Sequence, residues 1–300
     1  MTVQQNSSRD DNRGKANKAG IQWYPGHMTK AKRMMEENIK LIDLVIEIVD
    51  ARIPLSSRNP DIDKLAVNKS RMILLNKSDL ASDKINDEWV RYFNEKGFIV
   101  LKINAKNGMG INSVNSMILE ACKEKIERDR RKGIKNRPVR CMVVGIPNVG
   151  KSTFINAIAG RACTKTGNKP GVTKGKQWIT LNKQIELLDT PGILWPKFDD
   201  EQTGMNLAFI GSINDEILHM DEIACRLIEV LLKDYPGVIS QRYAVEEGGE
   251  DEPHVILEKI AVSRSCVRKG NEPDTDKAAD ILIDDYRAGR LGRISLERPE

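Results

Sequence analysis

The sequence predicts an α/β fold with a parallel sheet, followed by an all-α domain. Five short runs rich in Val, Ile and Leu predict the strands: Leu44–Val49, Met72–Leu75, Phe98–Ile103, Val139–Val144 and Ile185–Leu188. Each run is separated from the next by a helical or loop stretch, which is the pattern of buried parallel strands in α/β proteins. The strand pattern stops at about Trp195, and only helical patterns follow.

Three regions follow from this pattern. We expect residues 1–22 to be a disordered tail, since this stretch is polar and lacks hydrophobic periodicity. The sheet should occupy residues 23–198, beginning with a basic helix over Met28–Leu41, and a helical domain should occupy residues 199–300. Four stretches predict the helices of that domain: Leu207–His219, Ile223–Lys233, Val255–Arg264 and Thr275–Ala288.

The composition restricts the compartment and the class of protein. No apolar run approaches the roughly 18 residues that span a membrane, and the polar start of the chain has no apolar signal core. The five cysteines lack C-x-x-C spacing, so we expect reduced thiols without a zinc site. These features predict a cytoplasmic protein that contacts no membrane, with a monomer as the default. The net charge of +5 permits an anionic partner without requiring one.

A polar motif follows each predicted strand. These motifs are Asp50-Ala51-Arg52, Asn76-Lys77, Asn104-Ala105-Lys106, Gly145 and Asp189. Ligands of open α/β sheets bind at the carboxyl ends of the strands, where such motifs come together. The five positions therefore predict one ligand site at one edge of the sheet.

Residues 145–152 match the phosphate-binding loop G-x-x-x-x-G-K-[ST], between a predicted strand and a predicted helix. Backbone N–H groups of such a loop and the N-terminus of the helix suit phosphate oxygens. Lys151 is the predicted catalytic charge at the β- and γ-phosphates, and the Ser152 hydroxyl is a predicted Mg²⁺ ligand. Nucleotide contacts are expected from Asn148, Val149, Gly150, Lys151, Ser152 and Thr153.

Asp189-Thr190-Pro191-Gly192 has the features expected on the magnesium and γ-phosphate side of such a site. Asp189 should hold Mg²⁺ through water, and the Gly192 N–H should meet the γ-phosphate. Thr173 is the natural second hydroxyl ligand of the ion. Thr164, Thr166 and Thr180 lie nearby in the sequence and remain alternatives.

Two motifs predict how the base is read. Asn76-Lys77-Ser78-Asp79 fits N-K-x-D, in which Asp79 accepts from the N1–H and the amine of guanine, a pair that adenine does not present. Asn76 should tie the loop to the base, and Lys77 should lie over the ring. Asn104-Ala105-Lys106 is similar to an S-A-K element, whose backbone N–H meets guanine O6. Guanine is therefore favoured; a phosphate-loop ATPase, in which Asp79 does not read the base, stays open.

The base motifs precede the phosphate loop, which reverses the usual order. This order resembles that of the circularly permuted GTPases of the YlqF/RbgA family. The resemblance extends over nearly the whole chain after residue 22, through Trp23-Tyr24-Pro25-Gly26-His27-Met28, Asp50-Ala51-Arg52-Ile53-Pro54, Pro170-Gly171-Val172-Thr173 and the tail at 287–292. It implies a circularly permuted P-loop GTPase fold with a C-terminal all-α domain. It also implies GTP as substrate and a role in assembling the large ribosomal subunit of bacteria.

The group that orients the attacking water is predicted from the same resemblance. Many GTPases carry Gln just after D-x-x-G, but this chain has Ile193, whose aliphatic side chain cannot hydrogen-bond water. The resemblance implies His27 as the catalytic residue instead; a loop histidine without a role is the alternative. Asn148 is a further candidate, either as a ligand of K⁺ beside the α- and γ-phosphates or as a turn-forming residue.

Basic residues occur among the predicted helices near the C-terminus: Arg264, Arg268, Lys269, Arg287, Arg290 and Arg293. Such charges suit contacts with a phosphate backbone, although acidic neighbours dilute them and a solvated face is the alternative. The family resemblance favours rRNA of a large-subunit precursor as the partner, with GTP hydrolysis coupled to docking and release. The rival function is a GTP-gated protein-binding module in which hydrolysis is incidental.

Overall fold

The computed structural model describes residues 26–134, 136–164, 177–195, 198, 200–248 and 251–299. Its strands are β1 Leu44–Asp50, β2 Ser70–Asn76, β3 Ile99–Lys102, β4 Val139–Val144, β5 Gln177–Asn182 and β6 Ile185–Asp189. Within the described residues these strands form one sheet in the order β3-β2-β1-β4-β6-β5. Neighbouring strands are parallel except β5 and β6, which are antiparallel.

β1 lies at the centre of the sheet between β2 and β4, and all seven of its residues are buried. Continuous burial of this kind is expected of a parallel strand whose two faces are both covered. The register pairs Asp50 with Asn76 across β1 and β2, and Val143 with Asp189 across β4 and β6. The carboxyl ends of these four strands therefore meet at one edge of the sheet.

In the described part of the chain, helices precede, connect and follow the strands. They are α1 Gly26–Asn38, α2 Pro60–Leu65, α3 Asp83–Glu95, α4 Ile111–Ala121, α5 Lys123–Arg131, α6 Lys151–Ala159, α7 Glu201–Phe209, α8 Met220–Asp234, α9 Val238–Tyr243, α10 Pro253–Ser263 and α11 Thr275–Arg287. Short 3₁₀ helices lie at Ile39–Leu41, Ser78–Leu80 and Asp215–Ile217. Over the described ranges, no helix combines the length and the apolar character needed to cross a membrane.

The five predicted strands are all present, and the α/β prediction is confirmed. β5 is absent from the sequence prediction because it is an edge strand with one mainly solvated face, where Ile179 is its only buried residue. Such a strand lacks the continuous apolar run that marks a buried parallel strand. Its antiparallel pairing with β6 makes the sheet mixed, whereas a purely parallel sheet was expected.

The helix predicted over Leu207–His219 is wrong in its position. α7 instead starts after Asp200, whose side chain accepts from the Thr203 N–H, and stops before Gly211. Gly211 has a φ of 73°, a conformation that glycine adopts without steric cost, and it therefore suits the end of a helix. The other three predicted helices correspond to α8, α10 and α11, and α9 is an additional short helix.

The helical region and the sheet share one apolar core. α8, α10 and α11 pack on one another, and Leu227, Ile260 and Leu282 are fully buried among them. After α11 the chain returns to the sheet, where the Ile294 N–H donates to the Leu80 carbonyl (3.0 Å) and the Leu296 N–H donates to the Arg52 carbonyl (2.9 Å). The C-terminal segment thus lies beside the strand ends that carry the predicted motifs.

Candidate nucleotide-binding site

The phosphate loop connects β4 to the N-terminus of α6. Gly145 and Gly150 have positive φ values of 153° and 98°. A Cβ atom at Gly145 would lie 2.5 Å from the Ile48 carbonyl oxygen, and one at Gly150 would lie 2.4 Å from Asn76 Nδ2. The two glycines are therefore required by close packing against β1 and β2, and this packing places the loop and the start of α6 at the edge where the strands end.

Lys151 and Asp189 are both buried in this edge. Lys151 Nζ donates to the carbonyls of Gly145 (2.9 Å) and Ile146 (2.8 Å). Burial lowers the pKa of Lys151 to about 8. Burial also raises the pKa of Asp189 to about 6, against the opposing charge of Lys151. The side chains of Lys151 and Asp189 are therefore both desolvated by burial at this edge of the sheet.

The donor groups fit Mg²⁺. Within the described residues, neither carboxylate oxygen of Asp189 has a hydrogen-bond partner although both are buried. Unused buried oxygens call for a ligand, and Mg²⁺ prefers oxygen ligands. The described residues contain no group of three or more His, Cys, Asp and Glu side chains that could hold an ion alone. The ion would therefore depend on Asp189, on hydroxyls such as that of Ser152, and on nucleotide phosphates.

Gly192 packs directly on the phosphate loop. A Cβ atom there would lie 2.8 Å from Lys151 Nζ and 2.9 Å from the backbone nitrogen of Pro147. The preceding Thr190 is held in place because its Oγ1 donates to the Val143 carbonyl of β4 (2.7 Å). The backbone at Gly192 is therefore close to the position where the loop would hold a γ-phosphate.

The base motif is joined to the phosphate loop by two side chains. Asn76 Nδ2 donates to the Val149 carbonyl (2.7 Å), and Asn76 Oδ1 accepts from the Ala105 N–H (2.9 Å). Lys77, with a positive φ of 58°, donates from Nζ to the Asn148 carbonyl (2.8 Å). One asparagine thus holds together three loops that lie far apart in the sequence.

The remaining residues predicted to contact the base lie in the loops that follow β2 and β3. Asp79 is half-buried in the 3₁₀ helix that follows Lys77. Asn104 is buried, and its Oδ1 accepts from the N–H groups of Lys106 (2.9 Å) and Asn107 (3.2 Å). This side chain keeps the loop after β3 in a tight turn beside the base motif.

The comparisons with known proteins agree with this geometry. A family model described as 50S ribosome-binding GTPase matches residues 140–234. Ribosome biogenesis GTPase A of Bacillus cereus is 45% identical over 280 residues, which cover 93% of this chain and 94% of the relative. This chain belongs to the ribosome biogenesis GTPase A family. The relative of the same name from Priestia megaterium is 46% identical and covers 93% of this chain and 97% of its own length.

A solved structure supports the same family. The crystal structure of GNP-bound YlqF from T. maritima is 29% identical and has a TM-score of 0.65, covering 90% of this chain and 99% of that one. The prediction of an α/β GTPase fold of the YlqF/RbgA family with a helical C-terminal region is confirmed. The prediction of a GTPase that acts in ribosome biogenesis is confirmed as well.

In this member of the family, Asn148 lies where three segments meet. It has a φ of 61°, and its Nδ2 donates to the carbonyl of Gly211 in the loop after α7. The neighbouring Ser212 donates from Oγ to the Pro147 carbonyl (2.7 Å). The phosphate loop is therefore bound directly to the segment that enters the helical region, and the role of Asn148 as a K⁺ ligand stays a prediction.

Three predicted residues lie wholly or partly outside the described part of the chain. Thr173 is one of them, as is its alternative Thr166. His27 is the second residue of α1, but its side chain is not among the described ones. Of the alternatives, Thr164 donates from Oγ1 to the Ser152 carbonyl (3.3 Å) and is therefore next to the start of α6.

Arg287, one of the predicted RNA contacts, makes several contacts within the protein. Its Nε donates to the Phe209 carbonyl (3.0 Å) and its Nη2 to the Ala208 carbonyl (2.8 Å) at the end of α7. Its guanidinium also binds both carboxylate oxygens of Asp215 (2.7 and 2.8 Å). Arg287 therefore connects α11 to the loop that touches the phosphate loop.

The other five predicted RNA contacts are more exposed. Their neighbours are as follows: Arg264 stacks on Tyr243, Arg268 pairs with Asp274 and Asp276, Arg290 pairs with Asp285, and Arg293 pairs with Asp83. Lys269 is exposed. These positions are accessible to a phosphate backbone, and their contact with RNA stays a prediction.

Sequence reasoning missed two sets of residues at this site. Asp50 and Arg52 were noted only as a motif, and their buried ion pair beside Lys77 was not expected. Glu297 had no sequence signal, yet its carboxylate accepts from the N–H groups of Leu55 (2.7 Å) and Ser56 (3.0 Å) in the loop after β1. Both sets join the C-terminal region to the strand ends.

Proposed function

We propose that this protein binds GTP with Mg²⁺ at the shared edge of β1, β2, β4 and β6 and hydrolyses it to GDP and phosphate. The observation that carries the proposal is the direct joining of base motif and phosphate loop through Asn76 and Lys77. Asn76 and Val149 are 73 residues apart in the sequence, yet they share a hydrogen bond. A nucleotide whose phosphates lie on residues 145–152 would therefore bring its base to Asp79.

Each residue has a role that follows from its position. Lys151 and the N-terminal turn of α6 would bind the β- and γ-phosphates, with Asn148, Val149, Gly150 and Thr153 supplying backbone contacts. Mg²⁺ would supply charge that neutralises the phosphates, held by Ser152 and Asp189. Asp79 would accept from the guanine edge, and the loop at Asn104, Ala105 and Lys106 would donate to guanine O6.

We assign the orientation of the attacking water to His27. Ile193 is buried and carries no hydrogen-bonding group, so it cannot perform this role. Residues of α1, among them Lys32 and Met35, line one cavity together with Ile193. His27 lies five residues before Lys32 on the same helix, or about 7.5 Å along its axis. α1 therefore lies beside the residue that follows Gly192, which supports the choice of a residue on this helix.

The proposed partner is a precursor of the large ribosomal subunit and its rRNA. The support is the name of the family, the description of the matching family model as 50S ribosome-binding GTPase, and the exposed basic residues Arg264, Arg268 and Lys269. In this proposal the GTP state controls docking and hydrolysis permits release. The rival is a GTP-gated protein-binding module, which would be indifferent to ribosomal particles and to salt.

Three further parts of the proposal concern the K⁺ ion, the cellular compartment and the oligomeric state. K⁺ beside Asn148 would add positive charge at the phosphates, as an arginine finger does in other GTPases. The five cysteines are free thiols, which suits a cytoplasmic protein. We take the working form to be a monomer.

The test is GTP turnover measured with and without purified large ribosomal subunits, in K⁺ and then in Na⁺. Wild type is compared with His27→Ala and with the control His254→Ala, whose residue is exposed on α10. We expect subunits to stimulate turnover in wild type and in the control, and the stimulation to be lost in His27→Ala while GTP binding persists. Turnover that subunits leave unchanged would favour the gated-module function, and stimulation that survives in His27→Ala would remove His27 from the mechanism.

A further inference from the structure

A fully buried carboxylate lies at the end of the central strand, next to the base motif. Asp50 accepts from Arg52 Nε (2.9 Å) and Nη2 (2.9 Å), and it also lies 2.9 Å from Lys77 Nζ. The side chains of Asp50 and Arg52 are 0% and 1% exposed, so water contributes almost nothing to either charge. The position of each of the three groups therefore depends on the other two.

Arg52 extends this cluster to the helical region. Its Nη1 donates to the Tyr286 carbonyl of α11 (3.1 Å), and its guanidinium lies 4.8 Å from the centre of the Tyr286 ring. The backbone of Arg52 is held from the same side, since its carbonyl accepts from the Leu296 N–H (2.9 Å). One arginine therefore binds at once to a residue of the central strand and to two segments of the C-terminal region.

Lys77 extends the cluster in the other direction, to the phosphate loop. Its Nζ donates to the Asn148 carbonyl while it pairs with Asp50. A continuous chain of polar contacts thus runs from Asn148 through Lys77, Asp50 and Arg52 to Tyr286. Without Arg52, the Asp50 carboxylate would keep a single cationic partner, and Lys77 would be drawn toward it and away from the phosphate loop.

We infer that Arg52 is a positioning residue for nucleotide binding. It acts through Asp50 to hold Lys77 against the phosphate loop, and it thereby couples nucleotide affinity to the packing of α11 against Arg52. This inference rests on the proposed nucleotide site. Coupling between two sites is reciprocal. If binding of a partner moves α11 away from Arg52 and weakens nucleotide binding, the nucleotide weakens binding of that partner by the same factor. The helical region thereby controls how tightly nucleotide is held through Arg52, Asp50 and Lys77.

A second arginine provides a matched control. Arg58 is also largely buried, pairs with Glu47 (3.0 Å) and Asp63 (2.6 Å), and lies 5.0 Å from the centre of the Phe98 ring. Its chemistry repeats that of Arg52, but none of its described contacts reaches the base motif or the phosphate loop. A loss that arises from disturbing any buried arginine would appear in both variants.

The experiment is a double-mutant cycle on the dissociation constant of GDP, measured by isothermal titration with the full chain. The variants are Arg52→Lys, Lys77→Ala, the two combined, and Arg58→Lys, with thermal unfolding recorded for each. We expect Arg52→Lys to weaken GDP binding about tenfold, and to weaken it no further once Lys77 is Ala, because Arg52 acts through Lys77. Arg58→Lys should leave GDP affinity unchanged within about twofold even if it lowers the unfolding temperature.

The outcomes distinguish the action of Arg52 through Asp50 on Lys77, here called the relay, from the proposed function. Equal weakening in the wild-type and Lys77→Ala backgrounds, or no weakening at all, overturns the relay while GDP binding by wild type still supports the site. Wild type that binds no guanine nucleotide overturns the proposed function and the relay with it. If Arg52→Lys does not fold, Tyr286→Leu provides the same test, since it removes the ring under Arg52 and leaves Asp50 and Lys77 in place. Unchanged GDP affinity in a folded Tyr286→Leu variant contradicts the coupling.

Discussion

Replacing Asp189 with Asn should make the nucleotide-free protein more stable while it removes a ligand of Mg²⁺. Asp189 is 1% exposed, and burial raises its pKa from 3.8 to about 6. A carboxyl whose pKa is higher in the folded state than in the unfolded state binds its proton more tightly when folded. Its ionised form therefore destabilises the fold, and the cost is fully present only above pH 6.

The magnitude follows from the shift. Two pKa units correspond to about 3 kcal/mol, at about 1.4 kcal/mol per unit. Because Asn is neutral and has nearly the shape of a protonated Asp, Asp189→Asn should raise the free energy of unfolding by about 3 kcal/mol at pH 7.5 and by about half of that at pH 5. Below the unfolded pKa of 3.8 the difference should disappear.

The assay is urea unfolding followed by circular dichroism, with EDTA and without nucleotide, at both pH values. Asp284→Asn, at an exposed position of α11, is the control and should change stability by less than about 0.5 kcal/mol. Two results would refute the reasoning: an Asp189→Asn variant less stable than wild type at pH 7.5, or a gain that does not shrink as the pH falls. The same variant should lose the magnesium dependence of GTP binding.

Three other substitutions test separate parts of the site. Asn76→Ala should weaken GDP binding and lower the free energy of unfolding by about 1–3 kcal/mol, because the Val149 carbonyl and the Ala105 N–H lose their partner; titration calorimetry and urea unfolding measure the two effects, and unchanged values would contradict the bridge. Asp79→Asn should shift preference from GTP to xanthosine triphosphate, since an amide donor suits the extra carbonyl of xanthine; a competition assay that still favours GTP would remove Asp79 from base recognition. Glu297→Ala should cost about 2 kcal/mol because the N–H groups of Leu55 and Ser56 lose their acceptor; scanning calorimetry should show a lower melting temperature than in the exposed control Glu258→Ala, and equal melting temperatures would contradict this role of Glu297.

The strands and the local motifs could be predicted because their signals lie in contiguous residues. β1, β2 and β4 are apolar runs, and the phosphate loop requires Gly145, Gly150 and Lys151 at fixed spacing whatever surrounds them. β5 could not be found in the same way, since the alternating exposure of an edge strand leaves Ile179 as its one buried residue and Leu181 only partly buried. The end of α7 was misplaced because a glycine in a helical pattern does not by itself show whether the helix stops there; in the structure Gly211 has a left-handed backbone and the loop that follows packs on the phosphate loop.

Charged residues show most clearly what a sequence pattern leaves undetermined. Arg287 and Lys269 look equivalent in the sequence, yet Arg287 binds two carbonyls and a carboxylate inside the protein while Lys269 is exposed. Pairing of this kind depends on which segments meet in space. No pattern of nearby residues distinguishes a structural arginine from one available to RNA.

By itself the sequence determined the α/β class, the position of the phosphate loop and the preference for guanine, because each depends on residues a few positions apart. Only the tertiary structure decided that Arg52 binds Tyr286, 234 residues away, and that Glu297 binds the loop after β1. Such contacts arise when the packing of α11 and the C-terminal segment removes water from charges that must then find partners. The coupling of the helical region to the nucleotide site therefore belongs to the packed molecule and to no single motif.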